Sequence, residues 1–121
     1  MDTKDGVTFL AVDPELVPPR ILQATAHEVP FDLLEDCTLS AILPSFVEVG
    51  WKIDFYMHTH KGTFSTSRIQ IEAEHISAKK IERHLSSWAI KLSPGSQVSA
   101  GFYLYVGKLE RESPRNFYLV K

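Results

Sequence analysis

The sequence predicts an α+β fold, an antiparallel sheet with one or two helices on one face. Three observations lead there. Residues 51–58 and 68–74 alternate apolar and polar side chains with a period of two, and they flank Lys61-Gly62-Thr63, which predicts a β-hairpin. Residues 97–109 alternate in the same way, with Val98, Ala100, Phe102, Leu104 and Val106 on one side. Ile81, Leu85, Trp88 and Leu92 recur three or four residues apart, the mark of an amphipathic helix.

Taken in order, residues 6–12 read as a short edge strand, and Pro14, Pro18 and Pro19 keep the next stretch extended. Residues 1–19 are thus an N-terminal edge strand and Pro-rich segment of a single domain spanning 1–121. Residues 20–29 alternate as a strand. Residues 30–43 read as a helix: Pro30 suits its first position, Asp32, Glu35 and Asp36 favour its N-terminal dipole, and Pro44 ends it. Cys37, Leu39, Ala41 and Leu43 offer a competing strand reading. Ser77 can cap a second helix over 78–92, which Pro94-Gly95 stops. A strand follows over 97–109, then a turn over 110–115 containing Pro114, and a closing strand over 116–120. From Arg20 the order is β-α-β-β-α-β plus an extra C-terminal strand, a ferredoxin-like arrangement. If 30–43 is a strand, the alternative is a mostly β barrel or sandwich with one helix.

The hairpin register follows from keeping one face apolar, since a one-residue slip moves every side chain to the other face. A three-residue loop at Lys61-Gly62-Thr63 sets Trp51 opposite Ala73, Ile53 opposite Ile71 and Phe55 opposite Ile69. It also sets Tyr56 opposite Arg68 on the polar face. Gly62 supplies a residue tolerant of positive φ.

A chain of 121 residues, 44% hydrophobic and 23% charged, matches a globular protein able to bury one core. It has no run of about 18 apolar residues, which predicts no membrane span. Its N-terminus lacks the basic flank and apolar stretch of a secretory signal. A single cysteine, Cys37, excludes an internal disulfide framework and points to a reducing, cytoplasmic setting. Charge is segregated along the chain. Residues 1–76 hold five Lys and Arg against twelve Asp and Glu, net −7, and residues 77–121 hold eight against three, net +5. The expectation is that these charges mingle on one surface.

His58 and His60 sit two apart on the expected strand, a spacing that can chelate a metal. A third ligand is needed, and 61–65 supply neither an acid nor a histidine. Two solvated histidines are the expectation, with no metal and no cofactor. Cys37 follows two acids in an apolar stretch, which disfavours a thiolate. The sequence holds no Gly-x-Ser-x-Gly, phosphate-loop or His-Glu-x-x-His motif. Residues 101–105 resemble an aromatic RNA-recognition sheet motif. That family carries the motif on its third core strand, which here would be the second hairpin arm, and the pI of about 6.2 points away from a dedicated nucleic-acid binder.

With no convergent catalytic set, the sequence reads as a small non-catalytic binding protein. Its expected partner is another protein or a second copy of itself, with no membrane partner and nucleic acid ranked third. A small-molecule or metal-dependent role for His58 and His60 is the alternative. The interface candidates are Tyr103, Tyr105 and Tyr118, with Tyr56 and Arg68 on the hairpin, because tyrosine combines area with a polar tip.

Overall fold

Valine, alanine, phenylalanine and leucine at every second position from 98 to 104 make β10 (Gln97–Val106) a strand with one wholly apolar side. In the computed structural model it is the central strand of the largest sheet. The structure describes residues 2–4, 7–9, 12–30, 38–60, 62–66, 68–84 and 94–121. Ahead of β10 come β1 (Asp2–Lys4), β2 (Val7–Phe9), β3 (Arg20–Ile21), β4 (Glu28–Val29), β5 (Thr38–Ile42), β6 (Lys52–Thr59), β7 (Gly62–Ser65), β8 (Ile69–Gln70), α1 (Ala73–Ala78) and β9 (Lys80–His84). After it come β11 (Leu109–Glu112) and β12 (Asn116–Val120).

The large sheet runs β4-β12-β10-β6-β7, with β8 continuing β7 along β6 and β11 sharing β10 with β12. The small sheet is β3-β5-β9, and β1 pairs with β2. One core lies between the two larger sheets: Ile21, Leu39, Ala41 and Ile81 from the small sheet meet Phe55 and Phe102 from the large one. Phe55 and Phe102 pack edge to face at 6.2 Å and 66°. Each such ring contributes roughly 1.5–3 kcal/mol by burial, and their edge-to-face contact about 0.5–1.5 kcal/mol more. Leu16, in the Pro-rich segment, is buried in the same core.

The ferredoxin-like expectation is overturned. The described chain is mostly strand in two sheets, and its one helix, α1, has six residues and buries none of them. Both predicted helices fail for the same reason. Thr38–Ile42 is a strand whose Leu39 and Ala41 point into the core, and it lies between β3 and β9, so both its edges are paired. Residues 31–37 of that predicted helix lie outside the described residues. Lys80–His84 is an edge strand with only Ile81 buried, paired so that Ile81 meets Ala41. Lys79, at φ 59, ends α1 in the left-handed region and turns the chain into β9. Residues 85–93 of the second predicted helix lie outside the described residues. A short strand with one or two inward residues satisfies a helical spacing as readily as a strand spacing, so the cross-strand partners decide.

Other bounds move as well. The strand predicted over 20–29 is two short strands separated by a turn with Ala26 at φ 54. The turn predicted over 110–115 is partly β11, folded back on β10 through a tight turn in which Gly107 has φ 62. Asn116–Val120 is a strand as expected. The hairpin register differs too. The ladder closes on Thr59 opposite Gly62 and sets Tyr56 opposite Ser65, and farther on Ile53 pairs with Ile69, not Ile71.

Two bulges reconcile these registers. From Tyr56 to Ile53 the β6 side advances three residues while its partner advances four, from Ser65 to Ile69. Thr66 fills the gap: its N–H donates to the Phe55 carbonyl (2.9 Å) and its Oγ1 accepts the Phe55 N–H (3.2 Å). The second bulge lies between β11 and β12. The Ser113 N–H donates to the Phe102 carbonyl (2.9 Å) and its Oγ accepts the Phe102 N–H (3.0 Å). Ala100 then pairs with Asn116, one residue beyond the register of β11. Pro114, which lacks an N–H, sits in that irregular stretch, and bulges of this kind re-aim neighbouring side chains. The segregated charges lie side by side, since Arg111 pairs with Asp13 and Lys121 with Glu28 (2.6 Å).

Candidate protein-binding face

Alternation along β10 turns Ser99, Gly101, Tyr103 and Tyr105 away from the core, and the flanking registers set their neighbours. Tyr105 lies between Lys52 and Glu110, and Tyr103 between Asp54 and Glu112. Gly101 has Tyr56 beside it, and Ser99 lies between His58 and Phe117.

Tyr56 is the keystone of this face. Its ring lies across Gly101, where a Cβ would stand 2.4 Å from the phenol oxygen and 2.5 Å from Cζ. Only glycine leaves that space, an arrangement in which an aromatic covers a strand glycine. The Tyr56 hydroxyl donates to Glu112 Oε2 (2.5 Å), and Arg115 Nε donates to the same phenol oxygen (3.0 Å). Arg115 also ion-pairs with Glu112 at 3.8 Å. The bulge at Pro114 lets Arg115 reach over the ring. Tyr56 is 2% exposed, so it organises the face more than it presents itself.

Tyr103 packs on Tyr56 with centroids 5.0 Å apart, and Tyr105 continues the stack at 6.3 Å. The Arg68 guanidinium caps it, 3.9 Å above the Tyr105 ring. Cation–π contacts of this kind contribute roughly 0.5–1 kcal/mol at exposed sites. Burial, then the Glu112 carboxylate that accepts its hydrogen bond, raises the Tyr56 pKa well above the ordinary phenol value. Burial followed by the charges of Glu112 and Glu110 raises Tyr103, and burial followed by Glu110 raises Tyr105. All three phenols therefore resist ionisation, and none is poised as a base near neutral pH.

Four interface candidates, Tyr56, Tyr103, Tyr105 and Arg68, thus meet on one face. Arg68 arrives there through the bulge and does not pair with Tyr56 as expected; Ser65 does. Tyr118 is on the opposite side of the sheet, 6% exposed, with its hydroxyl oxygen accepting the Ile21 N–H (3.1 Å). Its neighbours Phe117 and Leu119, 64% and 37% exposed, take the outward positions. Sequence reasoning passed over them because both alternating sets in 116–120 are apolar. It also passed over Gly101, Glu112 and Arg115. A glycine amid aromatics in mid-strand was the available signal for the first.

His58 is exposed on this face, with Nδ1 2.6 Å from Thr63 Oγ1, and His60 lies just past the end of β6. Among the described residues no group of three or more His, Cys, Asp or Glu is placed to hold a metal ion. No helix among the described residues is long and apolar enough to cross a membrane. Cys37 lies outside the described residues. No protein-family model matches the chain, and no curated protein or solved structure matches it significantly.

Proposed function

We propose that this chain is a non-catalytic protein-binding module, in the manner of an inhibitor, immunity-type protein or assembly adaptor, acting through the outer face of its large sheet in a reducing, cytoplasmic setting. The observation that carries this reading is the outward row of Tyr103 and Tyr105, stacked under Arg68, with Phe117 64% exposed beside the same strand. Tyrosine and arginine held in place by neighbours are the residues that dominate binding energy in protein interfaces. Such anchors lose little entropy on contact because their rotamers are already held. Asp54, Glu110 and Glu112 stand among the tyrosines and balance Lys52, Arg68 and Arg115, so the face lacks the basic excess that binds a nucleic-acid backbone.

The test is affinity capture with the wild type, a Tyr105→Ser/Phe117→Ser double variant and an Ile42→Ser control. Ile42 is 50% exposed on the small sheet. A protein held by the wild type and the control but lost with the double variant supports the reading. Identical capture by all three overturns it, as does capture of nothing by a wild type that is also monomeric.

A further inference from the structure

We infer that the partner is a second copy of the chain, docked face to face about a two-fold axis along β10, so that Lys52 of each copy meets Glu110 of the other. The inference rests on the protein-binding reading and narrows it to one occupant. Three observations support it.

The first is charge. Around the tyrosines, the described residues of the outer face include the cations Lys52, Arg68 and Arg115 and the anions Asp54, Glu110 and Glu112. A uniformly acidic or basic partner leaves one sign unmatched, whereas a two-fold contact requires a self-complementary patch. The second is arrangement. In the Tyr105 row, Lys52 lies on the β6 side and Glu110 on the β11 side. Rotation about an axis along β10 carries the β6 side of one copy onto the β11 side of the other, which puts unlike charges together. Asp54 then meets a Glu112 already paired with Arg115, not a bare carboxylate.

The third is size. Four adjacent strands at about 4.8 Å spacing are roughly 19 Å wide, and ten residues at about 3.3 Å rise are roughly 33 Å long. The face is then about 630 Å² per copy, or about 1,250 Å² in total, at the lower end of specific interfaces. The two tyrosines stand on its central strand, toward the Val106 end, with the Tyr56 ring across Gly101 at its middle, and aligned packing at about 30° suits two twisted sheets.

Sedimentation velocity on the full chain in low-salt buffer tests this. The wild type is expected to pass from the 13.7 kDa mass of one chain to twice that as concentration rises through the micromolar range. Lys52→Glu alone and Glu110→Lys alone are each expected to weaken the dimer on the order of tenfold, from like charges facing at both contacts. An equimolar mixture of the two variants places an acid opposite a base at both contacts and is expected to regain wild-type affinity. Circular dichroism checks that both exposed-site variants fold. A wild type that stays at single-chain mass overturns the inference, and so do single variants that dimerise like the wild type or a mixture that stays weak. If the chain is monomeric yet loses a captured protein with Tyr105→Ser/Phe117→Ser, this inference falls and the protein-binding reading stands.

Discussion

Gly101→Ala probes the centre of the outer face with one methyl group. The added Cβ would lie 2.4 Å from the Tyr56 oxygen, 2.5 Å from Cζ and 2.9 Å from Cε2. Ordinary carbon contacts begin near 3.5 Å, so the ring tip must retreat by about 1 Å. The ring has little room to do so, with Tyr103 stacked on it at 5.0 Å and its hydroxyl held by Glu112 and Arg115. Overpacking of this kind costs about 1–3 kcal/mol, and a lost hydrogen bond to a charged group about 1.5–3 kcal/mol. Against this, replacing a mid-strand glycine by alanine returns about 0.5–1 kcal/mol of backbone entropy. The expected net change is a loss of about 1.5–5.5 kcal/mol, read as a lower midpoint in urea unfolding at unchanged slope. The same substitution in a Tyr56→Leu background meets no ring and is expected to be neutral or stabilising. The double-mutant cycle then gives a coupling whose sign is diagnostic. A Gly101→Ala variant as stable as the wild type would refute the placement of Tyr56 across Gly101.

Ser113→Ala removes the acceptor of the buried Phe102 N–H and is expected to cost about 1–3 kcal/mol in urea unfolding. Tyr118→Phe leaves the Ile21 N–H without its acceptor and is expected to lower stability by a similar amount, about 1–3 kcal/mol. It should do so without changing self-association, because Tyr118 faces inward; a changed dimer constant would contradict that placement. The raised pKa values of Tyr56, Tyr103 and Tyr105 set an alkaline limit. Above about pH 10 the unfolded chain releases phenol protons that the folded chain retains, so stability is intact below that pH and falls as pH rises through it. Phenolate absorbance should therefore develop at lower pH in denaturant than in the native chain, and coincident titrations would count against the buried stack.

Side-chain alternation made β6 and β10 legible, because each holds eight or more residues with one side committed to the core. Parity alone put Tyr103 and Tyr105 on one side of their strand and Tyr56 on the polar side of the hairpin, and the pairing of β6 with β10 brought the three together. Thr38–Ile42 and Lys80–His84 fit a helical period as readily as a strand period, because each has five residues with one or two inward apolar positions and neither stretch contains the partner that decides between them. In 116–120, Phe117 and Leu119 compete with Tyr118 and Val120 on nearly equal terms. The register against β10, which sets Tyr118 opposite Val98, selects the inward pair. The two bulges lay beyond any reading of pattern, since each exists only where one strand meets another of different length. Their consequences, Arg115 over Tyr56 and Arg68 over Tyr105, join residues 59 and 37 positions apart. Local chemistry thus sets which side chains share a strand face, while long-range pairing chooses which of two apolar faces is buried and which charges reach the aromatic row, because those choices are made by hydrogen bonds and contacts between segments that are remote along the chain.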